Sequence, residues 1–262
     1  MMFLASANPL EHSLDRPFGW FGRGVGEALA AVGITTQVFM LFIGAALMCA
    51  VFIARARRVQ AGELVPHGWG NFLEALLLFI RDEVVRPVVG RDGDRYLPFI
   101  WTVFFLILTC NLLGLIPGCM TATGNISVNA ALAGVSFLAW HLWGIRSVGV
   151  VKYLRYIVPP VPLVLWPLML VIEIVGHFVR PFALTMRLFA NMFAGHIAIA
   201  TVLGFTAALT KDTLVLGGAI SLAGVLGAVA LTLFEVFVAA LQAFIFASLT
   251  TVFVGMSVHP EH

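Results

Sequence analysis

Charge is what this sequence has least of. Only 11% of its 262 residues are Asp, Glu, Lys or Arg, against 61% hydrophobic residues, and its mean hydropathy is +1.02. Soluble domains carry about a quarter charged residues, so a soluble fold is excluded and no nucleic-acid partner is expected. Cysteine is scarce as well. Cys49, Cys110 and Cys119 show no metal-ligand spacing and read as packing residues rather than a disulfide framework. There is no phosphate-binding glycine loop and no H-E-x-x-H helix, so neither cofactor nor metal is expected. The first apolar run, Met1 to Ala7, is short and lacks a basic flank, so it does not read as a cleaved signal. Internal repeats of the kind that build secondary transporters are also missing, because the last third of the chain has no counterpart in residues 34–145.

What is there is long apolar helix. The expected architecture is an all-α polytopic membrane protein with five to six membrane helices and one surface amphipathic helix. Residues 1–31 hold Pro9, Pro17 and several glycines and read as an N-terminal segment, with an interfacial turn around Phe18 to Phe21. Residues 32–262 then form a single membrane domain. Spans are expected at about 34–53, 97–116 and 128–145, each near the ~20 residues that cross a hydrocarbon core. Between the first two, residues 69–90 place Phe72, Leu73, Leu76, Leu77, Phe79 and Ile80 against Glu74, Arg81, Asp82, Glu83 and Arg86, which suits a helix lying in the interface. Seven basic residues fall from Arg55 to Arg95 and three from Arg146 to Arg155, with none from Cys110 to Ala139. The positive-inside bias puts both basic loops in the cytoplasm and the N-terminus outside.

After Pro167, apolar sequence continues to about Ala208, interrupted by Glu173, His177, Arg180, Arg187, Asn191 and His196. A helix of ~40 residues is ~60 Å long, twice the hydrocarbon thickness of ~30 Å, so it must tilt steeply or break, and Pro181 is the obvious kink. Lys211, Asp212, Gly217 and Gly218 signal a turn, and a second long stretch runs to Met256. The two arms, about 163–208 and 217–256, read as one antiparallel hairpin. Residues level with each other in such a pair have position numbers of nearly constant sum. Arg187 and Gln242 sum to 429 and His196 and Glu235 to 431, which places the midpoint near 215, where composition independently puts the turn.

The polar residues of this hairpin are the candidate site. A guanidinium stays protonated and costs at least ~2.5 kcal/mol near a bilayer centre, so Arg187 needs a partner or a task, and no acid lies one turn away. Asn191 shares its face, while His196, nine residues on, points roughly the other way. His196 and Glu235 form a level at which protons can be relayed from one aqueous side, and Glu173 with His177 can serve a path to the other. Structural alternatives stand beside each reading. His196 with Glu235 is also a static pair that fixes packing; Asn191 and Gln242 are also interhelical hydrogen-bond glue. Glu173 is also an interfacial residue, or with His177 half of a metal site that lacks a third ligand. Asn125 and Asn129 also suit turns and caps.

The run Met186-Arg187-Leu188-Phe189-Ala190-Asn191-Met192-Phe193-Ala194-Gly195-His196 resembles subunit a of F-type ATP synthases, and Leu241-Gln242-Ala243-Phe244-Ile245-Phe246 is a second match. Similarity extends through Asn111 to Pro117, Thr121 to Asn125 and Pro167 to Glu173, covering the chain from about residue 35. The resemblance implies that Arg187 is the family's essential arginine, with Gln242 and Asn191 the amides near it. His196 and Glu235 fall where members of the family interchange acid and histidine. Asn125 and Asn129 fall at the entrance half-channel, and Glu173 at an acidic position of the cytoplasmic half-channel. One departure is visible: the outer loop carries asparagines and no acid. The implied partners are a ring of c subunits, peripheral-stalk b subunits, protons and the bilayer. The implied place is a bacterial inner membrane in preference to a mitochondrial one, with the C-terminus cytoplasmic. Two rivals are a self-contained secondary transporter or channel, and an intramembrane metalloenzyme using His141, His177 and His196.

Overall fold

The computed structural model describes residues 35–62, 67–116, 121–156, 162, 164–212 and 217–258. The N-terminal segment 1–31, Cys119, the residues joining the hairpin arms and the tail His259 to His262 lie outside the described residues. In chain order the helices are α1 (Thr36–Gln60), α2 (Trp69–Phe79), α3 (Arg86–Val89), α4 (Leu97–Gly114), α5 (Ile126–Val148), α6 (Val150–Tyr156), α7 (Trp166–Asp212) and α8 (Gly217–Val258). No strand occurs among the described residues. Five of these helices, α1, α4, α5, α7 and α8, are long and apolar enough to cross a membrane. The chain is an all-α, multi-pass membrane protein.

Several boundaries differ from the sequence reading for physical reasons. Helix α1 continues past Ile53 through Arg55, Arg57 and Arg58, because arginine is a good helix former and a helix need not stop where its apolar run does. Helix α7 is continuous over 47 residues with Pro181 inside it, so the proline does not break it. At 1.5 Å per residue it is ~70 Å long, more than twice a hydrocarbon core, and it can be accommodated only by steep tilt. Proline deprives the carbonyl of His177 of its helical donor. One turn on, the Thr185 hydroxyl donates to the Pro181 carbonyl at 2.9 Å. The surface helix is interrupted by a π-helical turn, Ile80–Val85, which links α2 to α3. Ile80, Val84 and Val85 on that turn are buried, while Arg81, Asp82 and Arg86 stay outside and pair with one another and with Asp94 at 2.9 to 3.1 Å. Such exposed pairs contribute little to stability.

The described residues gather into two compact units. One comprises residues 35–47, 107–128 and 187–242; the other comprises 48–106, 129–186 and 243–258. In the first, Gly44 of α1 faces Cys110 of α4, and a Cβ at Gly44 would lie 2.8 Å from that sulfur, so a small residue permits the close approach. Its hairpin arms meet with the constant sum expected of an antiparallel pair: Gly224 lies against Thr206, and a Cβ at Gly227 would lie 3.7 Å from Val202. In the second unit, Trp140 packs on Phe253 at 4.7 Å and Phe52 on Phe105 at 4.8 Å. The Trp101 indole donates to the Leu77 carbonyl at 3.1 Å, and Val88 lies against Gly255, so the surface helix is seated on α4 and α8.

Candidate functional site

Helix α7 carries most of the site because its length strings polar side chains through otherwise apolar surroundings. In the first unit its lower face is closed by Leu188 and Met192, both fully buried, which leaves Arg187 turned outward and exposed. Arg187 has no ion-pair partner among the described residues. Around it, Ala190, Ala194 and Ala198 are also exposed, at helical spacing on the same face. The guanidinium therefore stands in a strip of small residues, open to whatever lies alongside.

One turn on, Asn191 donates from Nδ2 to Oε1 of Gln242 at 2.8 Å. Gln242 is 1% exposed, and its Nε2 has no hydrogen-bond partner among the described residues. The sequence put Gln242 level with Arg187; in the structure its carbonyl is committed to Asn191 instead. The second level comes together as well. His196 Nδ1 lies 4.0 Å from Oε1 of Glu235, and His196 Nε2 is hydrogen-bonded to the Thr121 hydroxyl. Glu235 is 4% exposed, and neither carboxylate oxygen has a hydrogen-bond partner among the described residues. A buried carboxylate left so is costly unless a proton or a water completes it, and 4.0 Å to the imidazole is a span that one water or a small shift closes. Gly195 makes the arrangement possible: a Cβ there would collide with the Glu235 carboxyl.

Sequence reasoning missed the residues that extend this level. Thr121, 75 positions before His196, was visible only as part of a loop. Thr123 donates to Oδ1 of Asn111 at 2.7 Å, and Asn111 donates to the Ala239 carbonyl at 3.3 Å, both buried. Gln37 is 3% exposed, with Oε1 unpartnered. The signal that might have pointed to them is the excess of uncharged hydrogen-bonding side chains in apolar helix. Asn125 accepts from the Ser127 backbone N–H at 2.8 Å just ahead of α5, which is cap chemistry. Asn129 is fully buried.

In the second unit, Glu173 and His177 are joined by a residue to which the sequence reading gave no role. Arg180 donates to Oε1 of Glu173 at 3.4 Å, and His177 Nδ1 lies 3.6 Å from the same oxygen. The Arg180 guanidinium also sits over the Phe253 ring at 5.4 Å. The signal was present: Glu173 and Arg180 are seven apart, two turns on one helix face. Among the described residues no three His, Cys, Asp or Glu side chains gather to hold a metal ion.

Comparison with known proteins adds the following. A family described as ATP synthase A chain matches residues 38–255. The chain is 42% identical over 241 residues to ATP synthase subunit a of Myxococcus xanthus, covering 91% of this chain and 77% of that protein. It is 41% identical over 233 residues to ATP synthase subunit a of an Anaeromyxobacter species, covering 87% and 55%. It is 38% identical over 234 residues to ATP synthase subunit a of Chloroherpeton thalassium, covering 88% and 68%. The chain thus spans between about half and three quarters of the length of these relatives.

Proposed function

The chain belongs to the ATP synthase A chain family, and from that premise we propose that it is the stationary, proton-translocating membrane subunit of a rotary ATP synthase in a bacterial plasma membrane. The observation that carries this reading is Arg187, an exposed cation on a membrane helix, in a strip of alanines, without an anion among the described residues. Its partner is then on another chain. A carboxylate on each subunit of a rotating c-ring supplies the anion, and the alanines let the ring's helix come close.

Two aqueous half-channels serve this contact. Thr121, His196 and Glu235, with Thr123, Asn111 and Asn125, line the outer one, to which the sequence also assigns Asn129; Glu173 and His177 lie on the cytoplasmic one. In chain order along α7, Arg187 stands between His177 and His196. It favours the ionised form of each passing carboxylate, which drives the proton off, and its fixed charge opposes a direct leak. Asn191 and Gln242 hold the helix pair together beside it. Chemistry on nucleotides belongs to other subunits, and peripheral-stalk b subunits hold this one still.

Contact with the ring is tested by cysteine cross-linking. Cysteine at Ala190 or Ala194 is expected to form oxidative cross-links to cysteines on the outer helix of a c subunit, and to do so with several ring subunits in turn when ATP drives rotation. Absence of cross-links in intact, pumping membranes would sink the assignment of this face. Orientation follows from the basic loops, with N-terminus outside and C-terminus inside. In inverted vesicles a thiol reagent that cannot cross the bilayer should label Gly62→Cys and spare Asn125→Cys; the reverse pattern overturns it.

A further inference from the structure

The cytoplasmic half-channel proposed above was assigned to Glu173 and His177, yet the Glu173 carboxylate already faces Arg180 at 3.4 Å. A second histidine stands beside His177. The rings of His141 on α5 and His177 on α7 meet edge to face with centroids 5.4 Å apart. Both use Nδ1 in the same way. His177 Nδ1 lies 2.8 Å from the Glu173 carbonyl and His141 Nδ1 lies 2.8 Å from the Phe137 carbonyl. A backbone carbonyl can only accept, so each Nδ1 carries the hydrogen and donates it. In the neutral rings that leaves both Nε2 atoms as bare lone pairs, and neither has a hydrogen-bond partner among the described residues.

Two acceptors cannot bond to each other. A proton added to either Nε2 turns it into a donor, able to serve a neutral acceptor directly or through one water. A second proton would set two cations side by side, with Arg180 three residues beyond His177 on the same helix. The other groups facing the pair are Glu173 on α7 and Tyr153 on α6, whose ring lies 5.9 Å from His141. Helix α8 contributes Phe253, tilted against Trp140 with centroids 4.7 Å apart, and no titratable group among the described residues there. Two adjacent Nε2 acceptors can share one added proton.

We propose that His141 and His177 form a one-proton station on the cytoplasmic path, and that His141 is a proton-carrying residue of this subunit. The step is simple to balance. A proton arriving from cytoplasmic water forms an N–H bond at Nε2 of one ring and is shared with the other Nε2. It then leaves from Nε2 toward the ring carboxylate, with both Nδ1–H bonds kept throughout. Because Nδ1 is tied to a carbonyl, neither ring passes a proton through itself; the pair stores the proton and hands it on. Glu173 and Arg180 set the charge beside it. This inference rests on the proposed function.

The test is ATP-driven acidification of inverted vesicles holding the assembled complex, compared among wild type, H141Q, H177Q and the double variant, at equal complex content. The double variant is expected to pump about a hundredfold more slowly, the lower edge of what a positioned acid–base group supplies. Each single variant should be slowed less, since one Nε2 remains. Added imidazole should restore pumping in H141A, whereas pyrazole, a ring of the same size that takes no proton near neutral pH, should not. Equal rescue by both rings, or wild-type rates in the assembled double variant, would overturn the proposal. Vesicles carrying R187A are run alongside: if R187A pumps normally, the proposed function has failed, whereas silent R187A with normal H141Q/H177Q defeats the histidine station alone.

Discussion

Replacing Arg187 by alanine is expected to abolish ATP-driven proton pumping in inverted vesicles while raising their passive proton leak. Replacement by lysine is expected to abolish pumping with the leak held nearer to wild type. The two variants separate the tasks of one side chain. As a fixed charge, Arg187 repels protons that would otherwise pass from one half-channel to the other, and lysine keeps that charge. As a partner for a moving carboxylate it must present a flat, always protonated fork, which lysine does not provide. A pair of unit charges ~4 Å apart at an effective dielectric of ~20 interacts by ~4 kcal/mol, about three powers of ten in the population of the ionised carboxylate. That is enough to turn release of a proton from rare to routine. The protein raises no rival demand on the guanidinium, since it has no anionic partner among the described residues. Normal pumping by either variant would return Arg187 to a structural role.

The second large effect is expected at Glu235. Glu235→Gln keeps the shape and removes the proton-carrying group, and should slow pumping by ~100-fold or more with the complex still assembled. If His196 and Glu235 act as one unit, exchanging them in the double variant H196E/E235H should recover a substantial part of the rate that either single change loses. The pairing at 4.0 Å and the hydrogen bond between His196 and Thr121 give the exchange its rationale. A purely structural pair predicts the opposite pattern: E235Q would be nearly neutral, because a buried amide is cheaper than a buried unpaired carboxylate, and the exchange would only destabilise. Equal, near-normal rates for E235Q and wild type would remove Glu235 from the proton path.

Much of this could be read before any coordinates. The hairpin register came from arithmetic on four polar residues, and Gly224 against Thr206 and His196 near Glu235 obey it. That worked because an antiparallel helix pair is a one-dimensional object: once the turn is placed, levels follow. Side-chain partners followed only in part. Asn191 and Gln242 form the interhelical hydrogen bond that was one of the two readings open to them, because level along a helix pair does not say which of two residues one turn apart takes the bond. Thr121 and Asn111 reach the site from a different helix and loop, over separations that no helical period encodes. Arg180 was within reach, two turns from Glu173, yet only the structure shows the contact. The π-helical turn at Ile80–Val85 is equally silent in composition.

The sequence by itself determined the membrane class, a count of five to six crossing helices, the approximate length and register of the hairpin and the residues that bear its charge. These depend on hydrophobicity and helical period, which are local and add along the chain. The tertiary structure decided which of those residues are partners. Gly195 opens the space that Glu235 occupies, Leu188 and Met192 turn Arg187 outward, and His141 meets His177 across two helices. Each of these turns on the close approach of two helix faces to within an atom's width, which only the packed structure sets.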